Sequence, residues 1–202
     1  MASIYQGLAN ANTVEPLLNC LEDSEDNGRP ITSIKLSSTT ISSLSRTPLS
    51  DTHISPIVEL VLTYKPLLAS LSLLDLAYNN ITSTSLPELA NLLSSSSIST
   101  LILSSNLITD SWSPLFSSLP SSNLSTLNLS NNIIPSTDAS LLATVHPNTR
   151  LTSLNLSNTG LSDPDLLTFS FTCLMLIRFK NSYWIPRIPF QWIQCCINSR
   201  CF

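Results

Sequence analysis

Four stretches of the chain fall on one template. Leu71, Leu74, Leu76, Asn79, Ile81 recurs as Ile98, Leu101, Leu103, Asn106, Ile108, then as Leu124, Leu127, Leu129, Asn132, Ile134, then as Leu151, Leu154, Leu156, Thr159, Leu161, at intervals of 27, 26 and 27 residues. A weaker copy, Ile31, Ile34, Leu36, Thr39, Ile41, starts 40 residues before Leu71, so the first unit carries an insertion of about 13 residues. Self-similarity at this period means stacked units, each burying its apolar face only against its neighbours. Within a unit the fourth and sixth positions point to one side of a short strand, because side chains alternate along a strand. Stacking then pairs these strands in parallel. The Asn at the ninth position turns the chain out of the sheet, and its amide can satisfy backbone groups of neighbouring turns that burial would otherwise leave unpaired. Asn79, Asn106 and Asn132 are the expected structural residues of this kind. Thr39 and Thr159 replace it in the outer copies and, with one hydroxyl, should tie their turns less well.

The spacing L-x-x-L-x-L-x-x-N-x-L resembles the leucine-rich repeat over residues 31 to about 168, and its period with a helical second half resembles the ribonuclease-inhibitor-like class. The resemblance implies an α/β solenoid of about five units, a horseshoe arc with a concave parallel sheet and short convex helices. Helix signals in the sequence agree: Leu86, Leu89, Leu92 and Leu93 keep helical spacing, as do Leu115 with Leu119, and Leu141 and Leu142 with Val145. Ser55-Pro56, Ser113-Pro114 and Asp163-Pro164 each place a capping oxygen before a proline suited to the first helical position. Residues 16–21 suggest a further helix, so residues 1–30 are expected to form an N-terminal helical cap. The acidic run Glu22, Asp23, Glu25, Asp26 is expected as a solvated connector.

Composition removes several functions. The three glycines, Gly7, Gly28 and Gly160, are too scattered for a phosphate-binding loop or a dinucleotide fingerprint. A formal charge of −4 leaves no footprint for nucleic acid. His53 and His146 lie far apart in the sequence, neither at a metal-binding spacing, and the serines show no nucleophile motif. No catalytic, cofactor-binding or metal site is therefore expected, and the chain is expected not to be an enzyme. Five cysteines, four of them after residue 170, make no disulfide framework, and the first 20 residues lack the basic start of a secretory signal. A cytoplasmic location is the expectation.

In this family binding surfaces usually lie on the concave face, which the template places at the third, fifth and seventh positions. Ten of those fifteen side chains are Ser, Thr or Asn, so anchor character is confined to Leu73, Asp75, Tyr78 and Ile102, with Asn128 and Asn155 as polar contacts. The expected function is a non-catalytic protein–protein interaction module with an unidentified protein partner. The alternative is a truncated regulatory fragment of a larger signalling or GTPase-activating leucine-rich-repeat protein, by analogy with the Ran GTPase-activating proteins, although no residue carries over to that role.

After residue 168 the pattern stops. Residues 169–202 hold 8 of the 13 aromatics and four basic residues with no acidic one, leaving the body at −8 and the tail at +4. Three readings stay open for it: a C-terminal cap, a membrane or partner anchor, or sequence from a truncated or mis-spliced gene model. Membrane contact is expected nowhere but through this tail.

Overall fold

A computed structural model describes residues 2–5, 30–37 and 48–161. The helix expected over 16–21, the acidic connector, Thr39, Ile41, Asp163-Pro164 and the tail 169–202 lie outside the described residues. Among the described residues six strands form one parallel sheet in chain order: β1 (Ala2–Tyr5), β2 (Ile31–Lys35), β3 (Leu73–Asp75), β4 (Thr100–Ile102), β5 (Thr126–Asn128) and β6 (Ser153–Asn155). Strand β1 lies within residues 1–30, where a helical cap is expected, and instead extends the sheet by pairing Ile4 with Ile34. Helices α1 (Asp51–Thr63), α2 (Lys65–Ser70), α3 (Leu86–Ser95), α4 (Ser113–Ser118) and α5 (Ser136–Val145) connect them from β2 onward. The strand register reproduces the template, with Ile34 beside Leu74, Leu74 beside Leu101, Leu101 beside Leu127 and Leu127 beside Leu154.

Burial follows the same positions. Leu71, Leu74, Leu76 and Ile81, and their equivalents in the next two units, are buried against the leucines of α3 and the apolar side of α4 and α5. Each fully buried Leu or Ile contributes about 1.5–3 kcal/mol, so the repeated apolar positions supply most of the folding drive. The last unit is different: Leu151, Leu154, Leu156 and Leu161 are only partly buried.

Two polar ladders join the units. At the second position, the hydroxyls of Ser72, Ser99, Ser125 and Thr152 donate to the carbonyls of Thr32, Ser72, Ser99 and Ser125 at 2.9–3.2 Å. The same carbonyls accept backbone N–H groups from the next unit, two each at Ser72, Ser99 and Ser125, so the hydroxyl shares an acceptor that already ties the two strands. At the ninth position, Asn106 Nδ2 donates to the carbonyls of Leu76, Leu103 and Ser104, while its Oδ1 accepts the Ile81 N–H at 3.1 Å. Asn132 repeats this pattern, accepting from Ile108. Thr159 does not: its hydroxyl reaches only Leu156 O, and Ile134 N–H turns to the Thr159 backbone carbonyl instead.

The same geometry locates the insertion in the first unit. Asn79 Oδ1 accepts from Leu49 N–H at 2.9 Å and Asn80 N–H donates to Leu49 O at 2.7 Å, the contacts that Ile81 and Ile108 make in later units. Leu49, fully buried, thus holds the eleventh position that the sequence reading gave to Ile41. Part of the extra length falls before Leu49 and part after it, where α2 occupies chain that later units lack.

Helix starts also differ from expectation. Ser55-Pro56 does not open α1; Ser50 caps it, and Pro56 lies inside, where its missing N–H breaks one bond of the helix. The start is earlier because Asp51 is held by the next unit: its carboxylate accepts from Thr82 N–H, Thr82 Oγ1 and Ser85 Oγ. Trp112, not Ser113, takes the cap position of α4, leaving Pro114 in the first turn where no N–H is needed.

The Asp51 contacts carry a pH consequence. Partial burial pushes its carboxyl up, but the hydrogen bonds from Ser85 and Thr82 outweigh this and hold it below the ordinary value of 3.8. A folded-state value below the unfolded one gives stability that is present above the unfolded pKa and lost as pH falls through the folded one. Urea midpoints of wild type and Asp51→Asn should therefore differ at neutral pH and converge as pH falls through the lowered folded-state value. Equal midpoints at neutral pH would show that the carboxylate adds nothing to the α1–α3 tie.

Candidate functional site

The third and fifth positions lie on the sheet face away from the helices. Register sets Leu73 beside Thr100, and Asp75 between Lys35 and Ile102. Leu73, Asp75 and Ile102 are half-buried and share one face, with Tyr78 three residues past the end of β3. The seventh position, expected on the same surface, is buried in four of the five units, where Ser37, Ala77, Ser104 and Ser130 are each under a tenth exposed, and is half-buried at Ser157. The chain turns inward there, and the carbonyls of Ala77, Ser104 and Ser130 accept from the Asn amides.

Three fifth-position residues serve that turn. Asn128 Oδ1 accepts from the N–H and the hydroxyl of Ser130 at 3.1 and 2.8 Å. Asn155 does the same for Ser157, and Asp75 Oδ1 accepts from Ala77 N–H at 3.0 Å. These short polar side chains close a local ring that shapes the strand exit. Ile102 occupies the equivalent place without any such oxygen.

The eighth position is left-handed in every described unit after the first: Tyr78, Ser105, Asn131 and Asn158 have φ of 56°, 55°, 55° and 56°. Asn tolerates this conformation, whereas a bulky side chain is a genuine outlier. Asn158 Nδ2 donates to Asn131 Oδ1, and Asn131 Nδ2 to Ser105 Oγ, so three of the four residues form a row of side-chain bonds. Tyr78 breaks the row with an aromatic ring that is 49% exposed.

The tenth position was missed by the sequence reading. Leu107 and Ile133, one unit apart, are 55% and 54% exposed, where the flanking units carry Asn80 and Gly160. With Tyr78 they are the exposed large apolar side chains among the described residues. All three lie on the rim where the strands turn toward the helices. The signal available in the sequence was the tenth column itself, polar or bare in two units and aliphatic in two.

Both histidines sit at helix ends. His53 lies in the first turn of α1, its Nδ1 accepting the Ser50 N–H at 3.0 Å and also lying 3.0 Å from Ser50 Oγ, an arrangement that caps the helix. His146 opens a turn of 3-10 helix after α5, and burial lowers its pKa below the ordinary 6.5. Among the described residues no group of three His, Cys, Asp or Glu side chains could hold a metal ion, and no helix is long and apolar enough to cross a membrane.

Residues 70–92 match the family model described as Leucine Rich Repeat. No curated protein matches the sequence. Among solved structures, the leiomodin-1 actin-binding site 2 superposes with a TM-score of 0.58 at 16% identity, covering 84% of this chain and 92% of that one. An internalin from Listeria monocytogenes gives 0.36 at 22% identity over 84% of this chain and 59% of its own. The TLR13–ssRNA13 complex gives 0.35 at 18% identity over 66% of this chain and 23% of its own. The chain thus spans under two thirds of the last two. The leiomodin-1 likeness supports the fold, and the repeat, sheet and helices together make this an α/β leucine-rich-repeat solenoid.

Proposed function

We propose that this leucine-rich-repeat protein is a non-catalytic protein-interaction module of the ribonuclease-inhibitor-like class, which holds a protein partner with its strand-exit rim and the adjoining open face of the sheet. The observation that carries this reading is the exposed trio Tyr78, Leu107 and Ile133. Each stands where another unit uses a residue that serves the fold better, Asn at the eighth position and Asn or Gly at the tenth. Neighbouring large apolar side chains left exposed are expected where a surface has a second use. Leu73 and Ile102 extend the apolar area onto the sheet, and an aromatic ring flanked by aliphatic side chains has the composition of an interface anchor. Asn128 and Asn155, by contrast, have their oxygens engaged in the turns they close, so they contribute shape more than contact. Placing a photo-crosslinking amino acid at Leu107 in the full chain should trap a protein partner in cells, and the same group at Glu59, exposed on α1, should not. Equal trapping from both positions, or from neither, would overturn the reading.

A further inference from the structure

Resting on that reading, we infer that the rim takes a basic, apolar segment of a second protein. Formal charge along the stretch that carries the trio is one-sided, and Lys35 lies off that stretch, beside Asp75 on the sheet. Residues 76–149 contain Glu88, Asp110 and Asp138 and no Lys or Arg. Glu88 is engaged by the Ser55 hydroxyl at 2.7 and 2.8 Å, and the Asp138 carboxylate faces the Trp112 N–H at 3.5 Å. Asp110, three residues beyond Leu107, is exposed on the same strand-exit loop, where its N–H donates to Ser83 Oγ. Exposed charges act over a Debye length of about 8–10 Å at physiological salt, far enough to cover a neighbouring apolar contact on one loop. An acidic partner would meet uncompensated like charge there, whereas Lys or Arg beside its apolar side chains would gain attraction and a faster encounter.

The apolar contacts set the rest of the partner's chemistry. Leu107 and Ile133 occupy the same position on adjacent units, so they stand about one strand spacing apart, roughly 4.8 Å. Tyr78 lies one unit further, at the strand exit before Leu107's own row. Two or three large apolar side chains on the partner can therefore be covered at once.

Panning a random 12-residue peptide display library on the full chain tests this. Enriched peptides should carry net positive charge with at least two large apolar residues. They should lose tenfold or more in affinity for the Leu107→Ser/Ile133→Ser chain, and several-fold for Asp110→Lys. Enrichment of neutral or acidic peptides, or affinity unmoved by these substitutions, would overturn the inference. Peptides that respond to Leu73→Ser/Ile102→Ser instead would overturn it while leaving the interaction-module reading in place. Self-association of the full chain in sedimentation, abolished by the rim substitutions, would make a second copy the occupant and overturn it as well.

Discussion

Replacing Trp112 by alanine should cost about 3–5 kcal/mol, the range for emptying a buried aromatic site. Trp112 is fully buried, its ring stacks on Phe116 with centroids 5.5 Å apart, and its Nε1–H donates to Ile133 O at 2.8 Å. The substitution removes packing, a ring pair and an inter-unit bond together. Because each unit is stable only through its neighbours, damage at the third unit separates the array into two weaker halves. Urea unfolding followed by circular dichroism should show a lower midpoint and a shallower transition, against a total stability of about 5–15 kcal/mol for an ordinary domain. Trp112→Phe keeps most of the ring volume and should recover more than half of the loss. A cost within about 0.5 kcal/mol, typical of neutral surface sites, would place Trp112 outside the core.

Asn106→Ala is expected to cost about 1–3 kcal/mol. The amide donates to three carbonyls and accepts one N–H, all buried and spread over two units. Alanine removes no apolar area, so the loss comes from backbone groups left in the interior with neither partner nor water. Asn91, exposed on α3, is the matched control and should be nearly silent on replacement. Asn106→Thr offers a further check, because Thr159 already shows that a hydroxyl reaches only its own unit. The threonine variant should fall between alanine and wild type, and equal stability of all three would break the link between this amide and the array.

The repeat made the sheet legible because strand register and apolar burial depend on the same periodic residues. Leu74, Leu101, Leu127 and Leu154 are aligned in the sequence and adjacent in space. Helix starts were less legible: α1 begins at Asp51 because that carboxylate bonds to Thr82 and Ser85 in the following unit, a long-range contact with no local pattern. Leu49 was hidden for a related reason, since an insertion shifts the register and only the Asn79 hydrogen bond identifies the displaced position. Of the candidate site, Leu73, Asp75, Tyr78 and Ile102 could be placed on one face from the template. Leu107 and Ile133 could not, because an apolar residue beside a core position reads as core until the turn geometry shows it pointing out. The seventh position was assigned outward by extending strand alternation past the point where the strand ends.

Binding and stability should move in opposite directions when the rim is altered. In the triple variant Tyr78→Asn/Leu107→Ser/Ile133→Ser, the first change relieves a left-handed conformation that costs a bulky residue about 1–2 kcal/mol, and the others remove exposed apolar area that contributes little to folding. The most direct measurement compares this variant with wild type for both unfolding midpoint and partner trapping through a crosslinking group at Ile102. The expected result is a midpoint equal to or above wild type with trapping lost. Trapping retained at the wild-type level, or lost only together with the fold, would contradict a partner-binding role for the rim.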